Sequence, residues 1–388
     1  MATIRKRKWA GGTKSAWQVS YTDTKGKRRT KSFDRKKEAE AWLVQAEHDV
    51  ARGVHMPDSQ SLTVADAVDL WLRTPKADGT HKEPATLRSY ESTARLHIVP
   101  FLGGEKLSRL NKPSVEKFRR DLIESGRSPA RVQRAVRYLS MLLAEAESQG
   151  LVGQNAASNV KVVRSSRDAT EVEIPTPAEL KLMIKHSGPA LKPLVLCAML
   201  AALRASELRG LMWEHVDFAA GVIRVVQRAE ENNKLGAPKS KAGRRSVPMS
   251  PLLMKEMKEW KLRCPKNLLG LVFPSPDGMI WRYQNLMRRS FWPMQIAAGV
   301  SRPVLSKDDG LPVWDEEGRE VLEPKYGLHA LRHGAASLWI KQGIDLKRLK
   351  AWMGHASVQV TIDTYGHLMF DDVADAELVA GAERALLG

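Results

Sequence analysis

Between residues 3 and 33 apolar and polar positions alternate with a period of two. Trp17-Gln-Val19-Ser-Tyr21 puts three large apolar side chains on one face of an extended segment, and Thr24-Lys-Gly26-Lys supplies a turn. Arg28-Arg29-Thr30-Lys31-Ser32-Phe33 reads as a further strand, with cations along it. The period then lengthens. Asp34 stands as an N-cap, and Ala39, Trp42, Leu43 and Ala46 recur at helical spacing as far as about Arg52. The pattern predicts a small three-strand-plus-helix module over residues 1–56.

Met56-Pro57-Asp-Ser-Gln-Ser61 reads as a linker. Beyond it, four helices are expected over residues 60–160. The first is capped by Thr63 and carries Val64, Ala67, Val68 and Trp71. A second starts at Thr86, runs towards His97 and is broken by Pro100-Phe-Leu-Gly-Gly104. A third starts near Ser114, and a fourth runs from Ser128 through Val132, Val136, Leu139, Leu142 and Leu143 to Gly150. Val160 to Asp168 reads as a second linker. Residues 168–388 are expected to be mostly helical, with strands at Val222–Val226 and Arg245–Met249 joined by a loop that holds Lys234, Lys239 and Lys241. Val304–Glu323 reads as an acidic hairpin, and Asp371 to Leu387 as a short amphipathic tail helix. The fold class implied is mainly α with small β elements, in three domains.

Charge adds a partner to this picture. The formal net charge is +18, and residues 1–56 carry 14 Lys and Arg against 6 Asp and Glu. Like charges packed so densely repel unless a polyanion neutralises them, so a phosphate partner is expected. In the first module Arg28, Arg29 and Lys31 are the candidate DNA contacts. In the helical block they are Arg127, Arg131 and Arg134, spaced i, i+4, i+7 on one face. No segment approaches the length of a membrane span, and the basic N-terminus lacks the apolar stretch of a secretory signal. Cys197 and Cys264 are far apart, with apolar neighbours, and read as structural thiols of a cytoplasmic protein.

Candidate chemistry lies in four places. Leu203-Arg204-Ala-Ser-Glu207-Leu208 follows the apolar run Leu194–Leu203, so a helix is expected to deliver Arg204 from the core side. An ion pair with Glu207 would be its ordinary explanation, since a buried arginine must be paired or face an anion. Lys239 and Lys241 sit on a basic loop before Val247-Pro248. In His329-Ala-Leu-Arg332-His333 the first histidine and the arginine share a helix face, so both can address one anion. A metal clamp by His329 and His333 would need a glutamate directly after the first histidine for the zinc-protease pattern, and Ala330 is there instead. Last come Gly354-His355 and Thr361-Ile-Asp-Thr-Tyr365-Gly-His367.

Together and in order, these motifs resemble the tyrosine recombinases, the phage-integrase family, over roughly residues 60–370. The resemblance implies a site-specific DNA recombinase, the integrase of a phage or other mobile element. Tyr365 would be the nucleophile and form a 3′-phosphotyrosyl bond. Arg204, Arg332, His329 and His355 would hold the scissile phosphate, and Lys241 would protonate the leaving 5′ oxygen, with Lys239 two residues away as the competing assignment. Glu207 and His333 would support them. No metal and no cofactor is implied. The implied partners are double-stranded DNA at two recombining sites and three further copies of the chain, with a DNA-bending or excision factor as an additional candidate. Localisation would be cytoplasmic, at the bacterial nucleoid. The basic N-terminal module would bind arm sites, and the helical block would be the core-binding domain. Two rivals keep part of this evidence: a type IB topoisomerase, which reseals the same strand, and a DNA-binding regulator with a decayed active site.

Overall fold

The computed structural model describes residues 2–9, 13–24, 26–51, 56–76, 78–162, 173–306, 309–368 and 372–387. They divide into two compact units, Met1–Thr170 and Glu171–Gly388. The expected linker Val160–Asp168 lies outside the described residues from 163 onward. No helix among the described residues is long and apolar enough to cross a membrane.

The first unit opens with an antiparallel sheet of Thr3–Trp9, Lys14–Thr22 and Arg28–Phe33, in that order. Val19 and Tyr21 are buried on one face against Ala39 of the helix Lys36–Ala51, with Trp17, Phe33 and Trp42 around them. Alternation therefore sends Arg28 to the opposite face from Arg29 and Lys31. The segment expected to be a linker instead carries a strut. Asp58 pairs with Lys31 at 3.1 Å and Arg109 at 3.2 Å, and accepts from Ser108 Oγ at 2.7 Å.

Thr63 caps the helix Val64–Arg73 in a reciprocal box with Asp66. Trp71 stacks on Tyr90 at 4.5 Å, and Tyr138 closes the cluster edge-on. Pro100 does not end the second helix. Pro84–Thr93 continues through a π-type turn, Ala94–Ile98, into Val99–Leu102. Pro100 cannot donate to the preceding turn, and the wider π-type turn before it accommodates the missing bond. Lys112–Glu124 and Pro129–Ser148 complete the block around Leu107, Phe118, Leu122, Leu139 and Leu143.

The second unit is built around the helix Lys192–Leu200, which is buried almost along its whole length. Pro177–His186, Pro251–Arg263 and Leu328–Lys341 pack on it. Each large apolar side chain enclosed there contributes about 1.5–3 kcal/mol. The strands Val216–Asp217, Val222–Val225 and Arg245–Pro248 form an antiparallel sheet whose register sets Val225 opposite Arg245. The acidic insertion is a double hairpin. Ser301–Pro303 pairs with Leu322–Pro324, Val313 N–H donates to Val304 O, and Trp314 bridges to Glu320. The tail is helical over Asp372–Leu387 and leaves Val379, Leu386 and Leu387 exposed.

Candidate active site

Arg204 reaches the site from a turn rather than from the apolar helix. That helix ends at Leu200, Ala202 adopts a left-handed conformation (φ 49°), and Arg204 is the extended N-cap residue of the helix Ala205–Arg209. A non-glycine residue in that region costs on the order of 1–2 kcal/mol. In return the reversal frees the Ala202 carbonyl and turns the Arg204 side chain outward. Glu207 accepts from the Arg204 backbone N–H at 2.9 Å and from its Nη1 at 2.8 Å.

The helix Leu328–Lys341 carries His329, Arg332 and His333 on consecutive turns. Arg332 is only 1% exposed. Its Nη1 donates to Ala202 O at 2.5 Å, and its Nη2 donates to Met353 O. Burial and the like charge of Arg204 lower its pKa, yet it stays protonated at neutral pH.

The third contribution is the C-terminus of the helix Leu346–Met353, whose last carbonyls have no partner within the helix. Three successive ones accept from three different arginines: Trp352 O from Arg245 Nε at 2.6 Å, Met353 O from Arg332, and Gly354 O from Arg204 Nη2 at 2.8 Å. The negative end of a helix dipole thus gathers the cations, and His355 follows directly in the chain. Glu207, 4% exposed, accepts from both Arg204 and Arg245. Burial would raise its pKa, but the two guanidiniums outweigh that and hold it down at about 2. Three arginine charges against one carboxylate leave the cluster net positive, and Arg204, with its side chain one-third exposed, is the arginine that faces outward.

Tyr365 ends the helix Val358–Tyr365 and is 1% exposed. Its hydroxyl hydrogen-bonds His333 Nδ1 at 2.8 Å, and its ring lies nearly parallel to that of His355 at 6.4 Å. Burial pushes its pKa up to about 12, against the pull of Arg332 and Arg204. His333 and His355 are each driven down to about 4 by burial and by neighbouring cations, so both are neutral imidazoles at pH 7. His355 Nδ1 is held by the Thr361 hydroxyl at 2.9 Å. His329 lies at the exposed rim, its ring edge-on to His333 at 4.8 Å. Desolvation, then Arg332 and Arg204, lower its pKa.

The structure therefore gathers Arg204, Glu207, Arg332, His333, His355 and Tyr365 around one point. Lys241 and Lys239 are both exposed. Lys241 opens the short turn Lys241–Gly243, whose Gly243 carbonyl accepts from Arg245 at 3.1 Å. Arg245 and Thr361 were not singled out in the sequence. Arg245 lies among four cations within seven residues, and a threonine four places before a tyrosine carries no signal of its own.

Of the expected DNA contacts, Arg28 is exposed on the open face of the sheet beside Arg5, Arg7, Gln18 and Thr30. Arg29 and Lys31 are placed differently. They sit on the helix side, where Arg29 pairs with Asp23 at 2.8 Å and Lys31 with Asp58, its ammonium 4.8 Å from the Trp42 ring. Arg131 and Arg134 are exposed on Pro129–Ser148, and Arg127 is exposed in the turn before that helix. Desolvation, then the charges of Arg127 and Arg131, lower the pKa of His97.

The profile of the phage integrase family matches residues 176–371. The chain is 25% identical to a XerC-like tyrosine recombinase of Caldanaerobacter subterraneus subsp. tengcongensis, over 94% of this chain and 95% of that one. It is 24% identical to the ICEBs1 integrase of Bacillus subtilis, over 80% of each. Among solved structures, the Tn1549 transposon integrase in complex with a circular-intermediate DNA aligns with a TM-score of 0.65 at 20% identity, covering 82% of this chain and 99% of that one. A lambda integrase tetramer bound to a Holliday junction aligns at 0.57 with 18% identity, covering 91% and 95%. The chain belongs to the phage integrase family, the tyrosine-type site-specific recombinases.

Proposed function

We propose that Tyr365 attacks a DNA phosphodiester, joining its oxygen to the 3′ phosphate and releasing a 5′ hydroxyl. That hydroxyl attacks the phosphotyrosine of a partner duplex in the second step. One phosphoester replaces another in each step, so neither ATP nor a redox partner is needed. The observation that supports this most is the convergence of Arg204, Arg332 and His355 on the Met353–Gly354 backbone beside the Tyr365 ring.

A phenol with pKa near 12 is a weak nucleophile until its proton is removed or its anion is stabilised. Arg204 would take a nonbridging oxygen directly. Arg332, beneath it, would supply field, and His355 and His329 would donate to the remaining oxygens. Lys241 would protonate the leaving oxygen from its exposed turn, with Lys239 the alternative.

The partner in this reading is double-stranded DNA of a phage or other mobile element, held by four copies of the chain on two duplexes. The open face of the N-terminal sheet, with Arg5, Arg7, Gln18 and Arg28, would bind arm sites, in the manner of a β-sheet in a groove. Arg127, Arg131 and Arg134 would contact core-site phosphates, and the exposed apolar side chains of the tail helix would dock on the next copy.

Covalent trapping tests the reading. Nicked duplexes tiled through the DNA flanking the coding sequence are incubated with the wild type and with Tyr365→Phe, without metal, and resolved on a denaturing gel. A covalent protein–DNA band from the wild type alone is expected. DNA binding without such a band would favour a decayed regulator, and a band surviving in Tyr365→Phe would give the nucleophile to another residue. Exchange of strands between two different duplexes separates recombination from type IB topoisomerase chemistry.

A further inference from the structure

Arg245 was given no role in the expected chemistry, yet it touches three of the segments that bring chemistry to the site. Its side chain is 5% exposed. Nη1 and Nη2 donate to the two oxygens of Glu207 at 3.0 and 2.8 Å, Nε to Trp352 O at 2.6 Å, and Nη1 also to Gly243 O at 3.1 Å. Those partners lie on the Arg204 turn, on the helix end before His355, and on the turn that begins with Lys241. The backbone of Arg245 is fixed as well, since its strand pairs with Val222–Val225.

The fit leaves little freedom. A methyl group on Gly354 would lie 3.1 Å from Arg245 Cδ and Nη1, and 3.0 Å from Ala242 O. Gly354, at φ 63°, thus lets the helix end close onto the arginine and the lysine turn together. A planar fork suits this position because four acceptors lie in different directions, and a lysine ammonium cannot span a carboxylate edge and reach two carbonyls at once.

We propose that Arg245 is a positioning residue that locks the Arg204–Glu207 turn, the Lys241 turn and the Trp352–His355 segment into one catalytic arrangement. This rests on the recombinase chemistry proposed above. Arg245 does not meet the phosphate. It sets the direction from which Arg204 does, because Glu207 is shared between the two guanidiniums.

The test measures three quantities on full-length protein: single-turnover cleavage of a nicked duplex, affinity for the same duplex, and the melting temperature. Arg245→Lys keeps one charge and loses the fork. It is expected to cleave about ten- to a hundredfold more slowly, the scale of a small misplacement of reacting groups, with affinity within about twofold. Arg204→Lys should also be slow, and the double variant should be much less impaired than the product of the two single effects, because both act through Glu207.

If Arg245→Lys cleaves like the wild type, or if the two substitutions multiply independently, the proposal is overturned. Parallel loss of affinity, melting temperature and rate would also overturn it, leaving Arg245 a stability residue. Absence of a covalent band from the wild type itself would instead count against the recombinase chemistry.

Discussion

The phenolic oxygen of Tyr365 lies 2.8 Å from Nδ1 of His333, with the tyrosine buried and the histidine half-buried. A phenol held near 12 and an imidazole held near 4 are badly matched for proton transfer, so in this state His333 orients the hydroxyl rather than deprotonating it. Replacing His333 with Phe keeps the ring and removes the acceptor. The expected result is a cleavage rate lower by roughly tenfold, corresponding to a hydrogen bond of about 1.4 kcal/mol. Single-turnover trapping at pH 7 measures it, and an unchanged rate would show that the contact has no part in the reaction.

The same imidazoles set an acid limit on stability. His333 and His355 are depressed from the ordinary 6.5 to about 4, so between those values the unfolded chain binds protons that the folded chain refuses. Stability contributed by the neutral rings is complete above pH 6.5 and is lost as pH falls towards 4. Partial exposure reduces the effect below the limiting slope of about 1.4 kcal/mol per pH unit for each ring. Urea unfolding of the wild type and of His355→Gln across pH 7 to 4 checks it. The variant's curve should be flatter, and parallel curves would sink the assignment.

Gly354 has little room for change. It is left-handed, and an added Cβ would press on Ala242 O and Arg245. Gly354→Ala is expected to cost about 1–3 kcal/mol, from the conformational penalty and the crowding. Its carbonyl is an Arg204 acceptor, so cleavage should fall further than stability alone explains. Chemical denaturation and trapping on the same preparation separate the two losses.

The periodic parts of this fold were readable in the sequence. The strand Lys14–Thr22, the helix Val64–Arg73 behind Thr63 and the buried helix after Lys192 follow from apolar spacing and caps. Arg204, Arg332, His355 and Tyr365 each sit in a local motif legible in the sequence, and the structure brings those four together. Arg245 was missed because its meaning is tertiary: two of its partners are 38 residues and more than 100 residues away in the chain. The delivery of Arg204 was misread for a related reason. An apolar run implies a helix, but only the left-handed Ala202 reveals where that helix stops. The contact of His333 with Tyr365 could not be read in the same way, because i+4 spacing from His329 says nothing about a tyrosine on another helix.

Strand alternation in the N-terminal sheet separates two kinds of arginine, and this makes the last prediction. Arg28 is exposed on the open face, while Arg29 crosses to the helix side and pairs with Asp23, a carboxylate that is almost fully buried. On duplex DNA containing an arm site, Arg28→Ala should weaken binding and reduce the slope of log affinity against log salt by about 0.9, the value for one phosphate contact. Arg29→Ala should leave that slope unchanged and lower the stability of the unit by about 1–3 kcal/mol, because the buried Asp23 loses a charged partner. Titrations at several salt concentrations with thermal melts of the same variants decide it. Should Arg29→Ala change the salt slope and Arg28→Ala leave it intact, the DNA-facing side of the sheet is the one that Arg29 occupies.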